Sequence, residues 1–379
     1  MKRLLKIALF VLLAIAASCE RRPLEYYYNP TCKVVLTVDW THLLRQPTGM
    51  TAYFYRDGYD TPISMTTADI GATEINLPEG HYRCFVMNQS PNEFWTLGFN
   101  NMDSFTTARA DIVEDGSKWF VRKRDTGTRA TDPTAVGRQP EDLAIAVTAE
   151  FDITEDMVER YQEQYAEWKT KTREASARSD SRADLEIQEA KNKLDGLTYY
   201  INTTAYNTVS ELKVRVYVDG IYNLYSARAS MDGLALGYML YEGYPSTEEI
   251  VQLMETWTKH VDDADPTKGY IESSIRTFGL PGKLIGDLAM RSADLNLFSL
   301  ECLLVDLTTR KDQDYNVGNK FTLQLGIEGL KLALELELGT STAPAVVLPD
   351  VPPAGGSSGG GFDATVSEWQ TGDTVEIPM

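Results

Sequence analysis

The sequence predicts a mainly β chain, two tandem antiparallel β-sandwiches with a helical insertion between them. Apolar–polar alternations of period two recur in both halves and are closed by turn signals such as Asp57-Gly58, Pro78-Glu79-Gly80 and Asp219-Gly220. That is the signature of half-buried strands joined by tight turns. One internal stretch, 155–195, changes to helical spacing and is densely charged. With 43% hydrophobic and 24% charged residues over 379 positions, the composition is that of a folded chain long enough for two or three domains.

The chain opens with Lys2, Arg3 and Lys6, continues in an apolar run from Ile7 to Ala17, and reaches Ser18-Cys19. A basic start, a short apolar core and small residues make up a secretory signal, and the run is too short to span a bilayer as a helix. Small residues at 16–18 directly before Cys19 resemble the lipobox of bacterial lipoproteins, in which the cysteine sulfur is acylated and the leader is cut ahead of it. Residues 1–18 are therefore read as a lipoprotein signal peptide and Cys19 as the lipid attachment. The membrane is then a partner through acylated Cys19, and the location is the outer membrane, lipid-anchored, at the cell surface. The alternative is a plain secretory signal with an incidental cysteine.

Residues 19–31, with two prolines and Tyr26-Tyr27-Tyr28, read as a tether. The N-terminal sandwich is assigned to 32–154. Cys32, Val34, Leu36, Val38 and Trp40 share one face of its first strand, and further strands are expected at 50–55, 75–77, 82–87, 94–99, 118–123 and 143–153. In 155–195, Val158, Tyr161, Tyr165 and Trp168 form an apolar stripe, Glu155 and Asp156 suit a helix start, and Ala177–Arg182 reads as the hinge of a helical hairpin. This stretch is expected to be a spacer joining two β domains.

The C-terminal sandwich is assigned to 196–350. Leu212, Val214, Val216 and Val218 alternate. Ser246 and Glu249 resemble a capping box ahead of Ile250, Leu253, Met254 and Trp257, which predicts one short helix. Strands follow at 295–307 and 321–327, and 330–338 alternates from Leu330 to Leu338. Residues 351–361 form a Pro/Gly-rich linker of flexible composition. Beyond it, 362–379 returns to an amphipathic strand pattern in Phe362, Val366, Trp369, Val375 and Ile377. That strand either completes its own sandwich or adds to the sheet of another subunit.

Several function classes are excluded by what the chain carries. Its formal charge of −19 repels phosphate backbones, so no nucleic-acid partner is expected. Three histidines, no zinc-protease or phosphate-loop motif and no nucleophile elbow leave no expectation of an enzyme, a cofactor or a metal site. Asp263, Asp265 and Thr267 imitate a calcium loop, but Lys268 replaces the required glycine. Asp312, Asp314 and Asn316 do the same with Val317, and both segments read as polar turns. Of the cysteines after Cys19, Cys32 and Cys84 lie in strand-like runs. They are a candidate disulfide or, equally, two small buried hydrophobes.

Taken in order, the lipobox at Cys19, the strand through Val38-Asp39-Trp40, the block Ile75–Cys84, Thr277-Phe278-Gly279 and the ending Phe362–Trp369 resemble the fimbrillin-like surface lipoproteins of Gram-negative gut and oral anaerobes, in a subgroup without assigned function. The resemblance implies two transthyretin-like sandwiches and, for pilus members, polymerisation by strand exchange after a trypsin-like cut releases the first strand. Arg45 is the position it implies for that cut. The helical stretch is longer than the resemblance implies and points to a fimbrial anchor or accessory subunit, with other fimbrial subunits as partners. Phe362, Val366, Trp369, Val375 and Ile377 are then the strand-exchange candidates. The alternative function is a monomeric glycan- or peptide-binding surface lipoprotein.

Overall fold

Chains that alternate apolar and polar residues bury one face and ladder through the other two edges, and the computed structural model shows this in both halves. It describes residues 30–43, 45–115, 136–178, 181–282, 288–325, 332–339 and 345–354. Among them, ten strands precede the helices: β1 (Thr31–Asp39), β2 (Met50–Arg56), β3 (Ile63–Thr67), β4 (Ala72–Pro78), β5 (Gly80–Met87), β6 (Leu97–Asn100), β7 (Arg109–Ile112), β8 (Val136–Gly137), β9 (Ala144–Val147) and β10 (Phe151–Ile153). Helices α1 (Glu155–Arg178) and α2 (Ser181–Asp195) follow. Then come β11 (Tyr199–Asn207), β12 (Ser210–Asp219), β13 (Leu224–Ala235), β14 (Gly237–Met239), β15 (Tyr244–Pro245), β16 (Glu249–Met254), β17 (Thr258–Val261) and β18 (Lys268–Thr277). The last are β19 (Leu297–Leu304), β20 (Arg310–Asn316), β21 (Thr322–Leu325), β22 (Leu332–Leu338) and β23 (Val346–Val347). The strand expected at 118–123 lies outside the described residues.

The first sheet runs β3-β2-β5-β9-β11-β1-β4, with β10 also on β5. It folds over at β11, whose start runs parallel to β1 while its last three residues pair antiparallel with β9. Between the two layers lie Cys32, Val34, Leu36 and Val38 of β1, facing Phe54, Tyr82, Cys84 and Val86. The helices close this core with Val158, Tyr161 and Leu194. Thr154 caps α1, donors at Met157 and Val158 bonding back to it, and Lys171–Glu167 is an i,i+4 pair at 2.7 Å on the wet side.

Two expectations change here. The boundary at 196 moves, because β11 belongs to the first sheet. The helices are therefore an excursion from the first sandwich, and not a spacer between two. The sheets are also not purely antiparallel: β1–β11, β8–β16, β12–β22 and β12–β23 are parallel. Parallel pairing needs a long crossover, and the partners in these pairs are separated by whole segments of chain.

The second sandwich stacks the sheet β17-β18-β12-β22-β21 on the sheet β20-β19-β13-β16-β8. Leu212, Val214, Val216 and Val218 meet Met231, Phe298, Leu300 and Cys302 across its core. The helix expected at 250–257 is strand β16. Its consecutive residues Ile250, Val251 and Gln252 are all buried, so both faces are covered, and a strand covered on both sides loses the alternation that marks it. Ser246 does not cap a helix; its hydroxyl accepts from Gly237 N at 3.0 Å. The segment 262–267 is a polar turn between β17 and β18 as expected, with Asp262 and Asp265 accepting backbone donors of Ala264 and Thr267. Residues 312–316 are not a turn but part of edge strand β20.

A third core joins the sandwiches. Tyr55, Phe85, Phe105 and Ile112 from the first half pack with Val209, Leu240, Ile250 and Phe278 from the second. Strands cross the joint as well: β7 pairs with β14 and β8 with β16. Arg109 bonds Glu248 at 2.7 Å and Asp111 at 3.0 Å over the same seam. Burial pushes the Asp111 carboxyl up, while the Arg109 guanidinium holds Glu248 down.

Candidate functional site

The residues singled out in the sequence divide into those the structure places and those it does not describe. Cys19 and the strand-exchange candidates Phe362, Val366, Trp369, Val375 and Ile377 lie outside the described residues. Arg45 and the strand before it are described, and they define the candidate site.

β1 is an interior strand. Seven residue pairs join it antiparallel to β4, from Thr31–Pro78 to Thr37–Ala72, and six join it parallel to β11, from Val34–Tyr199 to Asp39–Thr204. Five of its side chains and those just after it, Cys32, Val34, Leu36, Val38 and Trp40, are at most 5% exposed. A sheet that lost β1 would present two unpaired edges over an apolar floor formed by Phe54, Tyr82, Val86 and Ile201.

The two ends of the slot are fixed differently. At the near end, Gln162 of α1 donates to Thr31 O, and Lys33 reaches Glu74 of β4. Tyr82 donates its hydroxyl to Pro78 O at 2.8 Å, and burial pushes that phenol up to about 12. At the far end, Asp39 accepts from Thr41 N and Thr41 Oγ1 at 2.9 and 2.7 Å, bonds that hold its carboxyl below the usual range. Trp40 Nε1 donates to Ile70 O at 3.1 Å, and Leu43 N bonds Trp40 O at 3.0 Å. Arg45 follows this last turn. It is exposed, in a bend, and Gln46 donates its side-chain amide to Trp40 O at 3.5 Å. Arg45 is thus an exposed arginine in the loop that connects β1 to the rest of the sandwich.

Cys32 and Cys84 stand in one core as free thiols, both fully buried, as is Cys302. Burial raises all three, Cys32 to about 11 and Cys302 to about 12. The structure thus carries the pair as small buried hydrophobes and not as a disulfide. The three histidines do not converge: His42 stacks on Tyr206, His260 on Tyr270, and His81 lies 2.7 Å from Asp152 and 3.4 Å from Glu150. Among the described residues no His, Cys, Asp and Glu side chains group as metal ligands, and no helix is long and apolar enough to cross a membrane.

Sequence reasoning identified β1 and missed β11 as its wall. Ile201 and Ala205 are the buried residues of β11, and its mixture of Tyr, Thr and Asn carries too little apolar alternation to announce an interior strand.

Comparison with known proteins gives a family and a fold. The model of a family described as a domain of unknown function, DUF5119, matches residues 18–255. No functionally curated protein matches the sequence. Among solved structures, a candidate adhesin from Bacteroides ovatus ATCC 8483 superposes with a TM-score of 0.51 at 14% identity, over 85% of this chain and 95% of that one. The fimbrial anchor protein Mfa2 from Porphyromonas gingivalis gives 0.39 at 10% identity, over 80% and 95%. The first of these shows a shared β-sandwich fold.

Proposed function

Because this chain belongs to the DUF5119 family, whose description carries no function, we propose its role from the slot around β1: a lipid-anchored structural protein of the cell surface, a fimbrial anchor or accessory subunit. In this reading Cys19 is acylated and holds the protein to the outer membrane. The segment bearing Phe362, Val366, Trp369, Val375 and Ile377 adds as a strand to a neighbouring subunit. Backbone bonds supply general affinity, and the alternate side chains fill pockets that select the partner. Each such side chain contributes ~1.5–3 kcal/mol on full burial, before ordering costs.

The observation that carries the reading is the interior position of β1 ahead of exposed Arg45. A cut after Arg45 would leave the acylated N-terminus connected to the body only through the ladders and core of β1. An anchor therefore keeps Arg45 intact, whereas a polymerising subunit gives β1 up and accepts another strand. The polar, ion-paired hairpin of α1 and α2, seated against the β1 end of the core, favours the anchor. Once β11 is counted with the first sandwich, that sandwich takes 32–154 and 199–207, with the helical hairpin 155–195 as its excursion, and the second takes 208–350; this division belongs to the proposal.

The test compares cells making the full chain with cells making a version that lacks 362–379. Unboiled extracts are run on denaturing gels and cell surfaces are imaged by electron microscopy. A ladder or filament that vanishes on truncation is expected. An unchanged monomer in both overturns strand-mediated assembly and favours a monomeric ligand-binding protein. A Cys19→Ala variant should leave the detergent phase for the aqueous one; equal partitioning of both forms overturns acylation.

A further inference from the structure

Strand β12 buries Leu212, Val214, Val216 and Val218, so Lys213, Arg215 and Tyr217 stand on the outer face of its sheet. The register sets rows across that face. Lys213 lies opposite Ser274 and Glu335, Arg215 opposite Glu272 and Glu337, and Tyr217 opposite Tyr270. Arg215 bonds Glu272 through two nitrogens at 2.8 and 3.2 Å, and its guanidinium rests 4.6 Å above the Tyr270 ring. His260 stacks on Tyr270 at 4.6 Å. Tyr217 donates to Glu337 at 2.9 Å, and Gln324 to Glu335 at 2.6 Å. The planar groups are thus held in place before any ligand arrives.

These rows form the floor of an open trough of about 720 Å³, walled by Thr256 and Thr258 on one side and by Lys320 and Thr322 on the other. Its size is that of a site for a small molecule. It runs across five strands, roughly 19 Å at the usual strand spacing, which is the length of a few sugar rings. Three cations, Lys213, Arg215 and Lys320, face three acids, Glu272, Glu335 and Glu337. In a protein with a formal charge of −19, this face carries none, so it offers no net field to phosphate, to a uronic acid or to an ammonium group. What it does offer is a dense set of fixed donors and acceptors. An ionised carboxylate accepts up to about four hydrogen bonds, and the bonds from Tyr217 and Gln324 leave Glu337 and Glu335 with capacity for more. The backbone donors of β12 are used in ladders with both neighbours, so a peptide cannot add here as a strand.

We propose that this trough binds a neutral oligosaccharide, with Arg215, Glu335 and Glu337 bonding ring hydroxyls and Tyr270 positioning Arg215. The site is independent of strand exchange, since it uses no residue of the β1 slot or of the C-terminal segment.

The test is calorimetric titration of the full mature chain with maltohexaose, cellohexaose, xylohexaose and mannohexaose, and with polygalacturonate and inorganic phosphate as charged probes. Saturable binding of at least one neutral probe is expected, weakened about tenfold by Glu335→Gln and by Arg215→Ala, the loss of one charge-assisted bond. Glu335 is half-buried on the outer face and glutamine is isosteric with it, so Glu335→Gln keeps the reading testable if Arg215→Ala unfolds. Tyr270→Ala should weaken binding while Tyr270→Phe restores it. Absence of saturation with all four neutral probes, preference for a charged probe, or equal affinity in the folded Glu335→Gln variant overturns the proposal.

Discussion

Severing the chain after Arg45 tests how β1 is held, and the structure supplies the magnitude. Five buried side chains, Cys32, Val34, Leu36, Val38 and Trp40, contribute roughly 8–15 kcal/mol at ~1.5–3 kcal/mol each. Fixing β1 and Trp40 after it, residues 31–40, costs roughly 10–20 kcal/mol of backbone entropy. The two nearly cancel, so the strand is retained by its ladders with β4 and β11 and by its covalent link through Arg45. While the link is intact the strand re-binds as an intramolecular partner at an effective concentration on the order of millimolar. After the cut a competitor can take its place.

The assay uses Cys32, whose thiol is fully buried and pushed up to about 11. Its reaction with a maleimide, located by mass spectrometry, reports whether β1 is seated. The uncut chain should label slowly. Limited trypsin digestion followed by excess synthetic peptide of residues 362–379 should raise the Cys32 rate by at least about tenfold, which corresponds to 1.4 kcal/mol of lost protection. An Arg45→Ala control should stay slow. Complete cleavage with the β1 fragment still co-eluting and Cys32 still protected would refute the reasoning, because the ladders alone would then be sufficient.

Further outcomes follow from other parts of the molecule. Phe278 lies in the core that joins the sandwiches, so Phe278→Ala should cost about 3–5 kcal/mol and split thermal unfolding into two transitions; one unchanged transition counts against a shared joint. Gly220 has φ +76° and a Cβ there would meet Leu348 O at 2.7 Å, so Gly220→Ala should lose about 1–2 kcal/mol in urea titration. His81 is raised above 6.5, first by its bond to Asp152 and then by Glu150 and Asp57. Its contribution is therefore complete below the unfolded value and is lost as pH rises through the folded one. Titration of His81 by NMR should show a drop toward the ordinary value in Asp152→Asn, and an identical titration in both proteins contradicts the pair.

Local chemistry alone determined a good deal of this protein. Period-two alternation located β1, β12 and β22, because a strand with one wet face records its orientation in every second residue; β2 and β5, covered on both faces, were located as apolar runs bounded by turn residues. Helical spacing located α1 and α2, and the acidic first turn placed the start of α1. Where both faces of a strand are covered, as in β16, that record disappears and its apolar spacing imitates a helix. Partner choice is different in kind. That β11 returns past two helices to lie beside β1, that β14 joins β7, and that Glu272 and Glu337 reach Arg215 from strands on either side depends on register between segments far apart in the chain. Side-chain periodicity says which way a residue faces and is silent on its neighbour, so the slot around β1 and the trough on the second sandwich were decided only when the sheets closed.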